Sequence, residues 1–181
     1  MAQFKDAEGW YYLQTGKISE SLEYFLAALK LAEECAQPRP TANILKDIGG
    51  AYLQLGMFDQ AVESLLQSIK LYREIGDLKA LKAEIKAQSN LSAVYMNSGH
   101  HQNAIDACLR VITLVDSLKS TDFTSKANAL GNLGYLYSVT DKPREAIRSY
   151  HEALQLEKQS NNLLLYYNTL QNMAFFLPRT R

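Results

Sequence analysis

Cysteine is nearly absent. Cys35 and Cys108 are the only two among 181 residues, and no CxxC pair occurs. That argues against a disulfide framework and leaves two isolated thiols in helical apolar patterns, expected as small buried hydrophobes in a reduced compartment. An excess of charge is lacking too: 19 Lys and Arg stand against 19 Asp and Glu. The first 90 residues sum to about −2 and the remainder to about +2. A nucleic-acid partner needs a concentrated basic face, and no Lys/Arg run supplies one. No apolar run approaches the roughly 20 residues of a membrane span. The opening "MAQFKDAEGW" lacks the charged-then-apolar plan of a signal peptide. The expectation is a cytoplasmic protein with no nucleic-acid or membrane partner.

What the chain does have is self-similarity. The segments "EGWYYLQTGKISESLEYFLAAL", "GGAYLQLGMFDQAVESLLQSI", "LSAVYMNSGHHQNAIDACLRVI" and "LGYLYSVTDKPREAIRSYHEAL" align. Gly9, Gly49, Ser92 and Gly134 are equivalent, at spacings of 40, 43 and 42, and Tyr12, Tyr52, Tyr95 and Tyr137 follow three residues later. Next come the turn residues Gly16, Gly56, Gly99 and Asp141, then the small residues Ser21, Ala61, Ala104 and Ala146. Phe25, Leu65, Cys108 and Tyr150 fill the following apolar site, and a fifth copy begins with Met173 and Ala174. Each copy has apolar residues at helical spacing, a short turn and a second helical stretch, so the unit is a helical hairpin. Breakers separate the copies: "QPRP", "IGD", "KSTD" and "SNN". Pro38 and Pro40 are expected to delay the next helix, and Gly76 to close one in the left-handed conformation.

The L-G-x-x-Y…A-x-x-x-F order of Leu133, Gly134, Tyr137, Ala146, Tyr150 and Ala153, echoed by Ile48, Gly49, Tyr52 and Ala61, resembles the tetratricopeptide repeat. The period is about 40–43 residues rather than 34, which resembles the longer repeats of kinesin light chain and of bacterial signalling receptors. The resemblance implies an all-α, right-handed solenoid of about four and a half hairpins. It forms a single domain over 1–181, with repeats near 2–37, 41–76, 78–119 and 122–160 and a half repeat at 162–178. Lys5 and Glu8 depart from the motif, as expected on the outer face of a terminal repeat.

Glycine inside a helix costs about 1 kcal/mol relative to alanine. Its recurrence at one site per repeat is expected to reflect close approach of the two helices of a hairpin. "IGGAYLQLG" is not a phosphate loop, because its glycines lie within helical periodicity and no GK[ST] follows.

Polar residues recur on the first helix of each copy at two sites four apart: Gln3/Ala7, Asn43/Asp47, Lys86/Asn90, Asn128/Asn132 and Asn168/Asn172. Such pairs lie on one helical face, and in tetratricopeptide arrays that face lines the concave groove. An asparagine offers both donor and acceptor, so a row of them can grip the N–H and C=O of an extended peptide. Helices about 10 Å apart against a strand rise of about 3.3 Å give one grip per three peptide residues. Asn90, Asn132 and Asn172 resemble the asparagine ladder of kinesin light chain, whereas Asp47 can accept but not donate. The alternative is that these amides satisfy helix ends and neighbouring side chains. Trp10 and Tyr135 each follow the repeated small residue by one position, with Phe175 as the later counterpart, and offer either side-chain pockets or buried packing. Together with Asn43, Lys46, Lys86, Asn128 and Asn168 these form the expected peptide site. The carboxylate clamp of chaperone-tail-binding relatives is incomplete in both possible frames, one starting at Lys46 and Gly50, the other at Asp6 and Trp10.

Catalytic spacing is missing. His100 and His101 fall in a hairpin turn, His151 stands alone on a helix, and Glu33, Glu34 and Glu63 lie on outer faces. No enzyme activity, cofactor or metal is expected. The expected function is binding of an extended partner segment, as an adaptor or regulatory module. Alternatives are a peptide-sensing domain of a bacterial signalling protein and a scaffold self-associating through the apolar "AFFLPRTR" end.

Overall fold

A computed structural model describes residues 2–118 and 123–176. Among the described residues there are nine helices and no strand: α1 (Ala2–Gln14), α2 (Ile18–Glu34), α3 (Pro38–Gln54), α4 (Phe58–Ile75), α5 (Leu78–Asn97), α6 (His101–Ser117), α7 (Phe123–Val139), α8 (Pro143–Gln159) and α9 (Leu163–Phe176). The "KSTD" breaker and the last residues of the half repeat lie outside the described residues. No described helix is long and apolar enough to cross a membrane.

The two prolines act differently from expectation. Rather than delaying α3, Pro38 opens it and Pro40 lies in its first turn. The amide that proline lacks has no intrahelical partner there, and its fixed φ already suits the helix. Cys35 also departs from expectation: it caps α2 and is exposed, while Cys108 is buried.

The turn inside each hairpin uses one backbone device. Gly16, Gly56, Gly99 and Asp141 all adopt left-handed φ, between 57° and 77°. The next residue's N–H then bonds back to the repeated tyrosine's carbonyl: Lys17 to Tyr12, Met57 to Tyr52, His100 to Tyr95 and Lys142 to Tyr137, at 2.8–2.9 Å. This six-to-one bond is half of a Schellman cap. Between hairpins, Gly76 closes α4 at φ 66°, as expected, while Ala36 and Asn161 adopt φ 49° and 54°.

The chain divides into two compact units, one ending at Val94 and one beginning at Tyr95. In the first, α2 packs on both α1 and α3, and α4 on α3. Its core gathers Phe25, Ala28, Ala32, Ile44, Ile48 and Ala51, with Leu13, Ile18, Leu22, Leu29 and Tyr52 around them. A Cβ on Gly9 would lie 2.5 Å from the Phe25 ring, and one on Gly49 would lie 2.6 Å from Leu65. The repeated small residue is therefore small because the second helix of its own hairpin drives a bulky side chain onto it. Polar ties add registry: Ser68 Oγ donates to the Ala42 carbonyl at 2.7 Å, and Arg73 Nε to Glu84 Oε1 at 2.8 Å.

In the second unit α7 packs on α6, α8 and α9, and α8 packs on α9. Leu130, Leu133, Leu136, Ala146, Tyr150 and Ala153 are buried. A Cβ on Gly134 would meet the Tyr150 ring at 2.6 Å, repeating the packing seen at Gly9 and Gly49.

Candidate peptide-binding site

The polar face of the first unit is built by the first helix of each of its hairpins. Asp6 and Trp10 from α1, Asn43, Lys46 and Asp47 from α3, and Lys79, Lys82, Ala83 and Lys86 from α5 line one cleft of about 430 Å³. Asp77 fixes the start of α5, its Oδ1 accepting the Ala80 N–H at 2.8 Å. That N-cap bond and the nearby Arg39 hold its carboxyl below the usual carboxylate range. From that start, Lys79, Lys82 and Lys86 fall at i, i+3 and i+7, one stripe along the helix.

Asp47 is the hub of the cleft floor and is buried. Its carboxylate accepts a bond from Trp10 Nε1 at 3.2 Å and pairs with Lys46. An indole N–H can only donate, so an acceptor on α3 answers a donor on α1. Trp10 remains 41% exposed; its ring meets Phe25 edge-on at 6.3 Å between centroids, and Lys46 Nζ lies 6.0 Å from its centre. Burial raises the Asp47 carboxyl, opposed by Lys46, Trp10 and Lys86. Burial and the neighbouring Asp47 raise Asp6, opposed by Lys46. Asp6 Oδ1 is buried with no hydrogen-bond partner among the described residues.

The remaining expected residues take varied positions. Asn43 is exposed, but its Oδ1 already accepts the Tyr72 hydroxyl at 2.8 Å. Asn90 is half-buried on α5, its Nδ2 lying 3.9 Å from where a Cβ on Gly50 would stand. In the second unit, Asn128 is exposed and Asn132 and Tyr135 are half-buried on α7. Asn168 and Asn172 are exposed on α9. The two helices approach between these pairs, with Thr169 Oγ1 3.7 Å from a Cβ position on Gly131. Phe175 is 79% exposed. Among the described residues no cluster of three or more His, Cys, Asp or Glu side chains gathers to hold a metal ion.

Tetratricopeptide-repeat family models match residues 9–74 and 129–164. The chain belongs to the tetratricopeptide-repeat family. Its fold is of the all-α repeat-solenoid class, and it is a protein-interaction module. Several solved structures resemble it in fold. BtubC from P. vanneervenii is 16% identical with a TM-score of 0.80, the match covering 99% of this chain and 67% of that one. Kinesin light chain TPR-like repeats from Podosopora anserina are 15% identical with a TM-score of 0.78, covering 95% and 82%. A Rap protein complexed with Competence and Sporulation Factor is 14% identical with a TM-score of 0.80, covering 93% of this chain and 45% of the Rap chain. The tetratricopeptide chain described here thus spans less than half of that Rap protein. No curated protein matches the sequence significantly.

Within this tetratricopeptide framework the structure brings Trp10, Asn43, Lys46 and Lys86 together in one cleft. Sequence reasoning passed over Lys79 and Lys82. Their signal was present in "LKALKAEIK", where lysine recurs on one face of α5. The pairing of Trp10 with Asp47 links residues 37 positions apart and had no local signal.

Proposed function

We propose that this tetratricopeptide module binds an extended segment of a partner protein across the first helices of its hairpins, in an adaptor or regulatory role. The observation that carries the reading is the cleft in the first unit, to which α1, α3 and α5 each contribute polar side chains. A row of first helices presenting polar groups to one space suits a peptide whose own backbone needs hydrogen-bond partners. By sequence alignment, Asn90 in the first unit and Asn128, Asn132, Asn168 and Asn172 in the second occupy equivalent first-helix positions, and Tyr135 is the sequence equivalent of Trp10.

A peptide-sensing role within a larger signalling protein is the second reading. It is favoured by the likeness in fold to the Rap protein complexed with Competence and Sporulation Factor.

The test is affinity capture with the chain, repeated with Asn90→Ala and Asn132→Ala together. Each amide is worth about 1 kcal/mol to a bound backbone, so the pair is expected to weaken capture roughly thirtyfold. Undiminished capture by a variant of reduced stability would assign the amides to the fold instead.

A further inference from the structure

The cleft of the first unit has a surplus of positive charge that the fold does not consume. Lys46 is committed to Asp47, and the Lys86 charge acts on the same carboxylate. Lys79 and Lys82 are exposed and make no ion pair among the described residues, yet both face the cleft. Four cations line a space holding two carboxylates, Asp6 and Asp47. Solvated lysines on an outer face would need no account. These instead converge on a concavity walled by Trp10, where low-dielectric surroundings concentrate the field.

We propose that the cleft takes an acidic stretch of the partner segment, its carboxylates seated on the Lys79–Lys82 end of the α5 stripe beside the exposed face of Trp10. The proposal deepens the peptide-binding reading above and rests on it. Asp47 acts as the fold's own acid: it holds Lys46 and the indole in place, so charge selection falls to α5. A basic segment would meet the lysine stripe and be repelled.

Trp10, the sole tryptophan, is a built-in reporter. The intact chain is titrated with capped hexaglutamate, capped hexalysine, a capped Gly-Ser hexapeptide and inorganic phosphate, following indole emission and, in parallel, heat. Hexaglutamate is expected to bind and shift the emission, to weaken as salt rises from 50 to 200 mM, and to outcompete phosphate. Lys79→Gln with Lys82→Gln is expected to weaken it about tenfold or more, each lysine contributing up to about fivefold. Lys30→Gln, an exposed lysine outside the cleft, is expected to leave it unchanged. Unchanged circular dichroism of the double variant confirms that the loss is not one of folding.

Three results would overturn the inference: neither an emission change nor heat with hexaglutamate, equal binding by the double variant, or equal binding of phosphate, which would make the stripe a simple anion site. A partner segment lost with the asparagine substitutions but kept by Lys79→Gln/Lys82→Gln would sink the charge inference and leave the groove reading standing. Hexaglutamate binding that ignores the asparagines does the reverse.

Discussion

Gly131 and Gly134 lie three residues apart on α7, and alanine at each should move stability in opposite directions. At Gly131 the nearest atom to a new Cβ is Thr169 Oγ1 at 3.7 Å, ordinary contact. Alanine there recovers helix propensity, a gain of about 1 kcal/mol. At Gly134 the same Cβ would stand 2.6, 2.6 and 2.8 Å from three atoms of the Tyr150 ring. That ring is fully buried and cannot swing away. Overpacking of this kind costs about 3 kcal/mol, and subtracting the propensity gain leaves a net loss of about 2 kcal/mol. For a chain of this size each kcal/mol moves Tm by about 2–4 °C. Gly134→Ala should therefore melt about 4–8 °C lower, and Gly131→Ala about 2–4 °C higher, by far-UV circular dichroism. Repeat arrays need not unfold in one step, so the comparison rests on the two variants measured side by side. A third arm isolates the cause. In a Tyr150→Ala background the ring is gone, and Gly134→Ala should lose most of its penalty, a coupling read by the double-mutant cycle. If Gly134→Ala stabilises as much as Gly131→Ala, or if its penalty persists without the ring, the close-approach account of the repeated glycine is wrong.

Three further outcomes are expected. Ala36 holds φ 49° at an exposed turn, so Ala36→Gly should stabilise by about 0.5–1 kcal/mol, a gain visible as a raised urea midpoint. Trp10→Phe keeps an aromatic ring against Phe25 and removes the Nε1 donor to Asp47. The loss should be about 1.5 kcal/mol, the lower end for a bond to a charged group, and thermal melts should drop by about 3–6 °C. Glu157 is buried, with Oε1 taking the Thr169 hydroxyl and Oε2 unpartnered among the described residues. Burial raises its carboxyl above the ordinary 4.5, opposed by the Thr169 bond. The folded chain therefore keeps a proton that the unfolded chain has already lost, and stability declines as pH rises from about 4.5 through the raised value. Glu157→Gln should match the parent below pH 4.5 and become the more stable protein as pH approaches neutrality. A difference that is constant with pH would refute this.

Much of the hairpin plan was legible because it rests on local rules. A left-handed turn residue, a carbonyl five residues before the following N–H, and a small residue facing its hairpin partner all recur within one copy of the repeat. Gly16, Gly56 and Gly99 announce the turn by composition, and Asp141 announces it only by alignment with them. Ala36 gives no such announcement: nothing in its identity favours left-handed φ, and its turn is imposed by the helices on either side. The prolines misled for a related reason. Proline forbids a helix interior but suits a first turn, and residue type alone does not say which of the two Pro38 occupies.

The site was legible in its residues and illegible in their loyalties. Spacing placed Asn43 and Asp47 on a polar face, and both do border the cleft. Spacing could not tell that Asn43 already accepts the Tyr72 hydroxyl, or that Asp47 receives the Trp10 indole. Asp47 is an acid where the third, fourth and fifth copies carry asparagine, for a reason that lies in another hairpin. The first copy places a donor-only indole above that position, and an acid answers it with acceptors alone. A side chain engaged in this way positions α1 against α3 before any ligand arrives. Substituting Asp47 would therefore disturb the fold and the binding surface together, whereas Lys79 and Lys82, which tie no helix to another among the described residues, separate the two.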